Sequence, residues 1–249
     1  MLLAYSLGRV KEILPGLYRI PIYLGPIPYT TAYLLDDGTQ LVLVDTGIPK
    51  RGPVFLKALQ RLGRKPFDVR HILITHHHYD HTGNLAWLSE KTDARIYVHP
   101  LDAAITRGDA PAPVPTATGG AAKVIHAIGS RMMPERLPHV SINHELQDGE
   151  ELPLAGGLTA IHTPGHTAGH TSFLWNKHGG VLLVGDAAAN LTGRVGAPLG
   201  AYTEDDAQMR TSVRKLAGFT FDKAVFGHGN PVKSRASERF AKLADRLGV

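Results

Sequence analysis

The chain has 249 residues, 43% of them hydrophobic, which is enough for one well-buried core and fits one large domain or two small ones. It contains no cysteine, so a disulfide framework and a thiolate metal site are both excluded. The formal net charge of +5 is mild and the Lys and Arg residues are scattered, which favours a solvated surface over a nucleic-acid-binding patch.

The N-terminal residues and the hydropathy of the chain bear on its location. Residues 1–6 lack the basic region and the long apolar core of a signal peptide. No apolar run approaches the length that spans a bilayer. We therefore expect a cytoplasmic protein without a membrane segment.

Short β-branched runs separated by turn residues predict nine strands. In chain order they cover residues 17–24, 31–35, 41–44, 69–74, 95–98, 158–162, 172–175, 181–184 and 224–226. Three helices fit the remaining pattern, at residues 52–62 with Pro53 in the first turn, from a Thr203 cap to Leu216, and from a Ser234 cap to Leu247. This mixture predicts an α/β layered sandwich.

The densest chemistry in the chain lies directly after the predicted strand 69–74. The loop there has the spacing His-x-His-x-Asp-His, which its residues His76, His78, Asp80 and His81 provide. Imidazole and carboxylate ligands suit borderline cations such as zinc or iron. We interpret the intervening His77 and Tyr79 as structural residues that point away from the metal. One loop cannot close a coordination shell, so further ligands must come from distant parts of the chain.

Three distant candidates complete this set. They are His166 in Thr-Pro-Gly-His-Thr, Asp186 in Gly-Asp, and His228 in Gly-His-Gly. Because the candidates run from His76 to His228, any division of the chain between them would split the site. We therefore predict a single domain over residues 1–249.

The ordered motifs resemble those of the metallo-β-lactamase-fold hydrolases, the superfamily that includes glyoxalase II, lactonases and RNase Z. The resemblance begins at Asp45-Thr46-Gly47, passes through residues 75–83 and 163–170, and ends at Gly227-His228-Gly229. It implies a four-layer αβ/βα sandwich, in which two sheets pack face to face, helices cover them, and metal ions lie at one edge between the sheets.

The resemblance also implies two divalent metal ions, with zinc as the first expectation and iron or manganese as alternatives. Cations held about 3.5 to 4 Å apart repel each other, so an anionic group must lie between them. Asp186 fits this role. One ion is expected on His76, His78 and His166, and the other on Asp80, His81 and His228, with Asp186 contacting both. Asp45 is expected to orient a ligand imidazole, and His170 to support the site without binding metal.

The activity implied is that of a dinuclear metal-dependent hydrolase. A metal-bridging hydroxide would attack the carbonyl of a small-molecule ester, thioester or lactone, with Asp80 and Asp186 as its catalytic carboxylates. A mononuclear-iron dioxygenase of the persulfide dioxygenase type and an RNase Z-like phosphodiesterase are the alternatives. Only about twenty residues follow His228, which disfavours a glutathione thioesterase with its C-terminal helical region. Residues 187–189 are alanines where related lactonases place a tyrosine, which weakens that assignment.

Residues 101–144 interrupt the alternation of strands and helices. The segment includes the proline-rich stretch 110–115, which we expect to be an extended loop because proline removes backbone donors and breaks helices. Insertions at this place in the fold often cover the active site. A lid that faces the substrate and a plain surface insertion are both open interpretations.

Overall fold

Residues 9–113, 136–198 and 200–249 are described by the computed structural model. The first sheet has seven strands, ordered β1 to β7 as they occur in the chain. Strands β1 to β4 are antiparallel neighbours, whereas β4 to β7 are parallel. Their bounds are Lys11–Leu14, Leu17–Leu24, Ile27–Asp36, Leu41–Val44, Val69–Leu73, Arg95–Val98 and His144–Glu145.

The second sheet has five strands in the order β12-β11-β10-β9-β8. Only β11 and β12 are parallel; the other pairs run antiparallel. Strands β8 to β12 span Glu151–Leu152, Leu158–His162, Thr171–Trp175, Val181–Leu183 and Lys223–Val225. Because β4, β5 and β6 are parallel, the loops that follow them emerge at one edge of the first sheet, as parallel strands require.

Six α-helices accompany the sheets in the described part of the chain. Helices α1 to α6 span Gly52–Arg61, Tyr79–Thr82, Leu85–Thr92, Pro100–Arg107, Asp206–Ala217 and Ala236–Leu247. The described residues also include two 3₁₀ turns, Pro66–Asp68 and Gly200–Tyr202. None of the described helices is long and apolar enough to cross a bilayer.

Three hydrophobic clusters separate four layers. Residues on one face of each sheet, such as Leu73 and Phe173, form the core between the two sheets. The opposite face of the first sheet packs against α1 and α3. The opposite face of the second sheet packs against α5 and α6 through Val213 and Phe240. Neighbouring residues alternate between clusters, as Ile72 and Leu73 do, because successive strand side chains point to opposite faces. The four-layer αβ/βα arrangement expected from the sequence is confirmed.

Two predicted helix caps were wrong. Helix α5 begins after Asp205, whose carboxylate accepts a hydrogen bond of 3.0 Å from the backbone N–H of Gln208, so Asp205 replaces Thr203 as the cap. Helix α6 begins after Arg235, which has the left-handed φ of 54° and makes no side-chain cap, so Ser234 is not the cap. Both errors lie within two residues of the correct boundary. The short strands β1, β7 and β8 were missed because they are too brief or too exposed for a clear alternation.

The predicted insertion has corrected boundaries. Its first residues belong to helix α4, in which Asp102, Ala103 and Thr106 are buried, and its last residue lies in β7. Both ends of the 101–144 segment are therefore part of the layered fold. Residues 114–135, where a lid would lie, fall outside the described residues, so the lid stays a prediction.

Part of the scattered basic charge gathers in the fold. Arg239, Lys242 and Arg246 share one face of α6 and, with Arg194 and with Arg235 just before the helix, line an open cavity of about 530 Å³. Spacings of three and four residues place side chains on the same side of a helix. No aromatic side chain is among the described residues that line this cavity, so the prediction against nucleic-acid binding is unchanged.

Candidate metal centre

The histidine-rich loop begins where β5 ends, and Asp45 holds its first residue. Asp45 follows β4, the parallel neighbour of β5, so the two loops meet at the same edge of the sheet. The Asp45 carboxylate accepts hydrogen bonds from the backbone N–H of Thr75 at 2.9 Å and from its hydroxyl at 2.9 Å. Asp45 itself has a φ of 62°, an uncommon backbone conformation that these contacts hold in place.

Three histidines form the first group of converging side chains. The candidate ligand atoms of His76, His78 and His166 all lie within 4.8 Å of one another. Nε2 of His76 lies 3.0 Å from Nδ1 of His78. His166 comes from the loop between β9 and β10, so the two sheets contribute jointly to this group. We call it the three-histidine set.

The second group, Asp80, His81 and His228, also has its candidate ligand atoms within 4.8 Å of one another. Asp80 and His81 lie in the short helix α2, and His228 follows β12. The Oδ2 atom of Asp80 is 3.2 Å from Nε2 of His228 and 3.8 Å from Nε2 of His81. We call this group the mixed set, because it combines a carboxylate with two imidazoles.

Asp186 lies between the two groups, in the loop after β11. Its Oδ2 atom is 3.5 Å from Nε2 of His166 in the three-histidine set and 3.2 Å from Nε2 of His228 in the mixed set. Its Oδ1 atom is 3.6 Å from Nε2 of His81. A Cβ atom on Gly227 would overlap this Oδ1 atom, so only glycine fits beside the Asp186 carboxylate.

The donor atoms fit cations. Nε2 of His81, Nε2 of His166 and Oδ1 of Asp186 are buried and have no hydrogen-bond partner in the described part of the chain. Buried polar atoms without partners are costly, and convergent imidazole and carboxylate atoms are typical ligands of zinc and similar metals. The structure thus brings together all seven side chains that the sequence proposed as ligands.

The sequence profile of the metallo-beta-lactamase superfamily matches residues 26–228, a range that includes all seven of these side chains. The chain belongs to the metallo-beta-lactamase superfamily. The family recognised from the motifs is therefore confirmed.

Individual relatives agree with this assignment. "Probable metallo-hydrolase YflN" of Bacillus subtilis (strain 168) is 29% identical over 255 residues, which cover 96% of this chain and 94% of that protein. A hydroxyacylglutathione hydrolase of Halorhodospira halophila (strain DSM 244 / SL1) is 30% identical over 70% of this chain but only 51% of its own length. The crystal structure of the metallo-beta-lactamase family protein TTHA1429 from Thermus thermophilus superposes with a TM-score of 0.70 at 30% identity, covering 95% of this chain and 81% of that one.

In this member of the superfamily, the outward ring nitrogens of four histidines have polar partners. Such contacts fix the tautomer and the orientation of a ligand ring, so that its other nitrogen is aimed at the site. The contacts are His76 Nδ1 to Thr75 Oγ1 at 2.9 Å, His81 Nδ1 to Asp45 Oδ2 at 2.8 Å, His166 Nδ1 to Thr203 Oγ1 at 3.3 Å, and His228 Nδ1 to the Tyr29 carbonyl oxygen at 2.6 Å. The sequence pointed to Asp45 but missed Thr203 and Tyr29, which carry no motif of their own.

His170 acts on the site through the backbone. Its Nε2 atom accepts a hydrogen bond of 2.9 Å from the N–H of Asp186, and its Nδ1 lies 2.8 Å from the hydroxyl of Thr163. Burial lowers the pKa of His170 to about 3, which keeps the ring neutral and able to accept. His170 belongs to neither group of converging ligand atoms. This geometry supports the expectation that it holds the Asp186 loop without being a ligand.

The two sets differ in their electrostatics. In the three-histidine set, burial lowers the pKa of His76 and His78 and lowers that of His166 to about 4. In the mixed set, burial also opposes the charged form, but the negative charges of Asp186 and Asp80 together outweigh it, raising the pKa of His81 and raising that of His228 to about 10. Without metal, the first set is neutral and the second carries protons at neutral pH.

Two tyrosines flank the centre, one beside each set. The ring of Tyr202 lies 6.5 Å from that of His78, and the ring of Tyr29 lies 5.6 Å from that of His228. The negative charge of Asp80 and then burial raise the pKa of Tyr29, while burial and then Asp80 raise that of Tyr202. Both phenols therefore stay protonated and can donate hydrogen bonds to a substrate. The sequence analysis missed Tyr29, which carries no motif of its own.

Proposed function

We propose that this metal-dependent hydrolase cleaves small-molecule esters, thioesters or lactones at a centre of two divalent metal ions. The observation that supports two ions is the position of Asp186. One of its carboxylate oxygens lies within 3.5 Å of a nitrogen from each set, as a ligand shared between two cations requires. A single-metal site would need no anionic group at this midpoint.

Seven donors would hold the ions. They are five imidazole nitrogens and two carboxylates, a combination that suits zinc first and also iron or manganese. Two such cations would lower the pKa of a water molecule from about 15.7 towards about 7, and would polarise a substrate carbonyl. The protein supplies the negative charge that reduces repulsion between the cations, through Asp80 and Asp186.

The chain's own residues can orient the reaction. Asp80 Oδ2 lies 3.2 Å from Nε2 of His228, so with both side chains on one cation the carboxylate would be placed to accept a hydrogen bond from the attacking water. Tyr29 and Tyr202 can donate to the carbonyl oxygen as negative charge develops on it, because both phenols keep their protons. The surrounding core excludes bulk water on the side of the sheets, where His76 and His81 are fully buried.

One specific observation favours a lactone or another simple ester. Residues 187–189 are alanines and provide no phenol, but Tyr202 brings one to the side of His78 from another part of the chain. The hydroxyacylglutathione hydrolase relative makes a thioester the other class to test, although this chain matches only about half of that protein.

The experiment that tests the proposal couples metal analysis to substrate screening. Purified protein would be analysed for zinc, iron and manganese, and assayed against thioesters, lactones and phosphodiesters. Two metal ions per chain with carbonyl-ester turnover is the expected result. One ferrous ion with oxygen uptake would overturn the proposal in favour of a persulfide dioxygenase-type oxygenase. Turnover of phosphodiesters alone would overturn it in favour of an RNase Z-like activity.

A further inference from the structure

A fully buried carboxylate outside both sets lies beside the metal centre. Asp102, in the first turn of helix α4, has no solvent exposure. Its Oδ2 atom accepts hydrogen bonds from the backbone N–H of His77 at 2.9 Å and from the hydroxyl of Thr167 at 2.8 Å. Its Oδ1 atom accepts from the backbone N–H of Gly169 at 2.7 Å. Both oxygens are therefore occupied by protein donors.

These donors belong to two different loops. His77 lies between His76 and His78 in the loop after β5 of the first sheet. Thr167 follows His166 directly, in the loop between β9 and β10 of the second sheet. The carboxylate of Asp102 thus joins the two loops at positions adjacent to every member of the three-histidine set.

We propose that Asp102 is a positioning residue that sets the separation of these two loops and thereby the geometry of the three-histidine set. This inference rests on the proposed metal centre. It assigns no contact between Asp102 and metal or substrate, because the carboxylate acts through backbone and hydroxyl donors on either side of the ligands.

The close packing around Asp102 leaves little freedom for the loops to move apart or together. A Cβ atom on Gly169 would lie 2.5 Å from Oδ1 of Asp102 and 2.6 Å from its backbone nitrogen, so the loop lies directly against α4. Only a residue without a side chain permits this approach. The Asp102 carboxylate therefore holds the His166 loop at a distance that only glycine at position 169 permits.

The ring of His77 extends the same connection. Its Nδ1 atom is 3.1 Å from Oδ2 of Asp102, and its Nε2 atom is 3.7 Å from Oε1 of Glu204. The other oxygen of Glu204 accepts a hydrogen bond of 2.8 Å from the N–H of Ala168, in the same loop as His166. The His77 ring thus lies between two carboxylates that both hold the His166 loop. His77, which lies between two candidate ligands in the sequence, therefore contacts the carboxylates that hold the His166 loop.

The test replaces the carboxylate by an isosteric amide, Asp102→Asn. An amide NH₂ faces a backbone N–H or a hydroxyl, so at least one of the three hydrogen bonds must be lost. Cobalt(II) would be titrated into the metal-free protein, and its affinity and visible ligand-field spectrum recorded. The matched control is Asp93→Asn, which removes the same charge from an exposed position with a left-handed φ of 55° that asparagine also adopts.

We expect Asp102→Asn to weaken binding of one cobalt ion by about 10- to 100-fold and to change the ligand-field bands, as loss of outer contacts to ligands does. Substrate turnover should fall in kcat with little change in KM, since the substrate does not touch Asp102. Asp93→Asn should match the wild type in every measurement. Wild-type cobalt affinity and spectrum in a folded Asp102→Asn variant would overturn the inference.

Thermal unfolding of the metal-free variants shows whether a change in cobalt binding comes from loss of folding or from altered ligand positions in a folded protein. Should Asp102→Asn fail to fold, Thr167→Val decides the question, because it removes a single donor and keeps the side-chain shape. Altered cobalt bands in Thr167→Val would support the inference, and unaltered bands would overturn it. A wild-type protein that binds no metal would defeat the proposed function itself, whereas two bound metals with an unaffected Asp102→Asn variant would defeat only the inference.

Discussion

The three-histidine set and the mixed set lie on either side of Asp186, yet they are prepared for a cation in different ways. Burial keeps His76, His78 and His166 neutral, so their nitrogens offer free electron pairs. In the mixed set the imidazoles are paired with the carboxylates of Asp80 and Asp186, which act as internal counter-ions. A cation that enters the three-histidine set displaces no proton, whereas one that enters the mixed set must displace protons from its imidazoles.

Removal of Asp186 should have the largest effect, because this residue contacts both sets. We expect Asp186→Ala to lose one or both metal ions and to lower kcat by at least about a thousandfold. Elemental analysis and initial rates measure the two effects. Wild-type turnover with full metal content in this variant would show that Asp186 is not shared between the sets.

The dependence of metal affinity on pH should separate the two sets. The pKa of His228 is raised from 6.5 to about 10, so the metal-free ring still holds a proton between pH 6.5 and about 10. The pKa of His81 is raised as well. Affinity at the mixed set should therefore rise with pH between about 6.5 and 10, approaching two protons released per ion. The pKa of His166, about 4, makes the affinity of the three-histidine set nearly constant above pH 5.

Calorimetric titration of metal-free protein in buffers of different ionisation enthalpy measures these released protons. His228→Ala is the matching variant, since it removes one of the two imidazoles that hold protons. Binding at the mixed set should then lose affinity and release about one proton fewer, because only His81 still holds a proton. Equal slopes for the two binding steps would contradict the distinction between the sets.

Substitution of each flanking tyrosine tests which set faces the substrate carbonyl. Tyr202 lies beside His78 and Tyr29 beside His228, so each phenol reports on one set. The variant that removes the phenol donating to the developing oxyanion should lower kcat by about 10- to 100-fold, with metal content unchanged. We expect the larger loss in Tyr202→Phe, because Tyr202 provides the phenol that residues 187–189 lack. Equal, wild-type rates in Tyr202→Phe and Tyr29→Phe would exclude both phenols from the reaction.

The sequence predicted the inner part of the site better than its surroundings. His76 and Asp186 belong to motifs in which residue type and spacing are dictated by metal coordination, so they are recognisable without a structure. Tyr29, Asp102 and Thr203 make contacts across the fold with residues distant in the chain, and no local motif marks such contacts in a sequence. Thr203 was even assigned to a helix cap, the commoner use of threonine before a helix.

The strands follow the same distinction. The long strand β2 carries enough apolar residues to be predicted with its observed bounds, whereas β3 was predicted only over residues 31–35. The residues of both strands divide between the inner and outer clusters as strand alternation requires. Strands β7 and β8 have two residues each, so no periodicity exists to detect. Their positions depend on pairing with β6 and β9, which is a property of the assembled sheets.

His77→Ala should have the smallest effect on the metal centre and the clearest effect on stability. The substitution keeps the backbone N–H that donates to Asp102, so both metal ions should remain bound. It removes the ring that lies between the buried Asp102 carboxylate and the partly buried Glu204 carboxylate, which should lower the free energy of unfolding by about 2 kcal/mol. Chemical denaturation together with metal analysis measures both quantities. Loss of metal with unchanged stability would contradict this prediction. It would show that the His77 ring supports metal binding at the three-histidine set itself, and not the contact between Asp102 and Glu204.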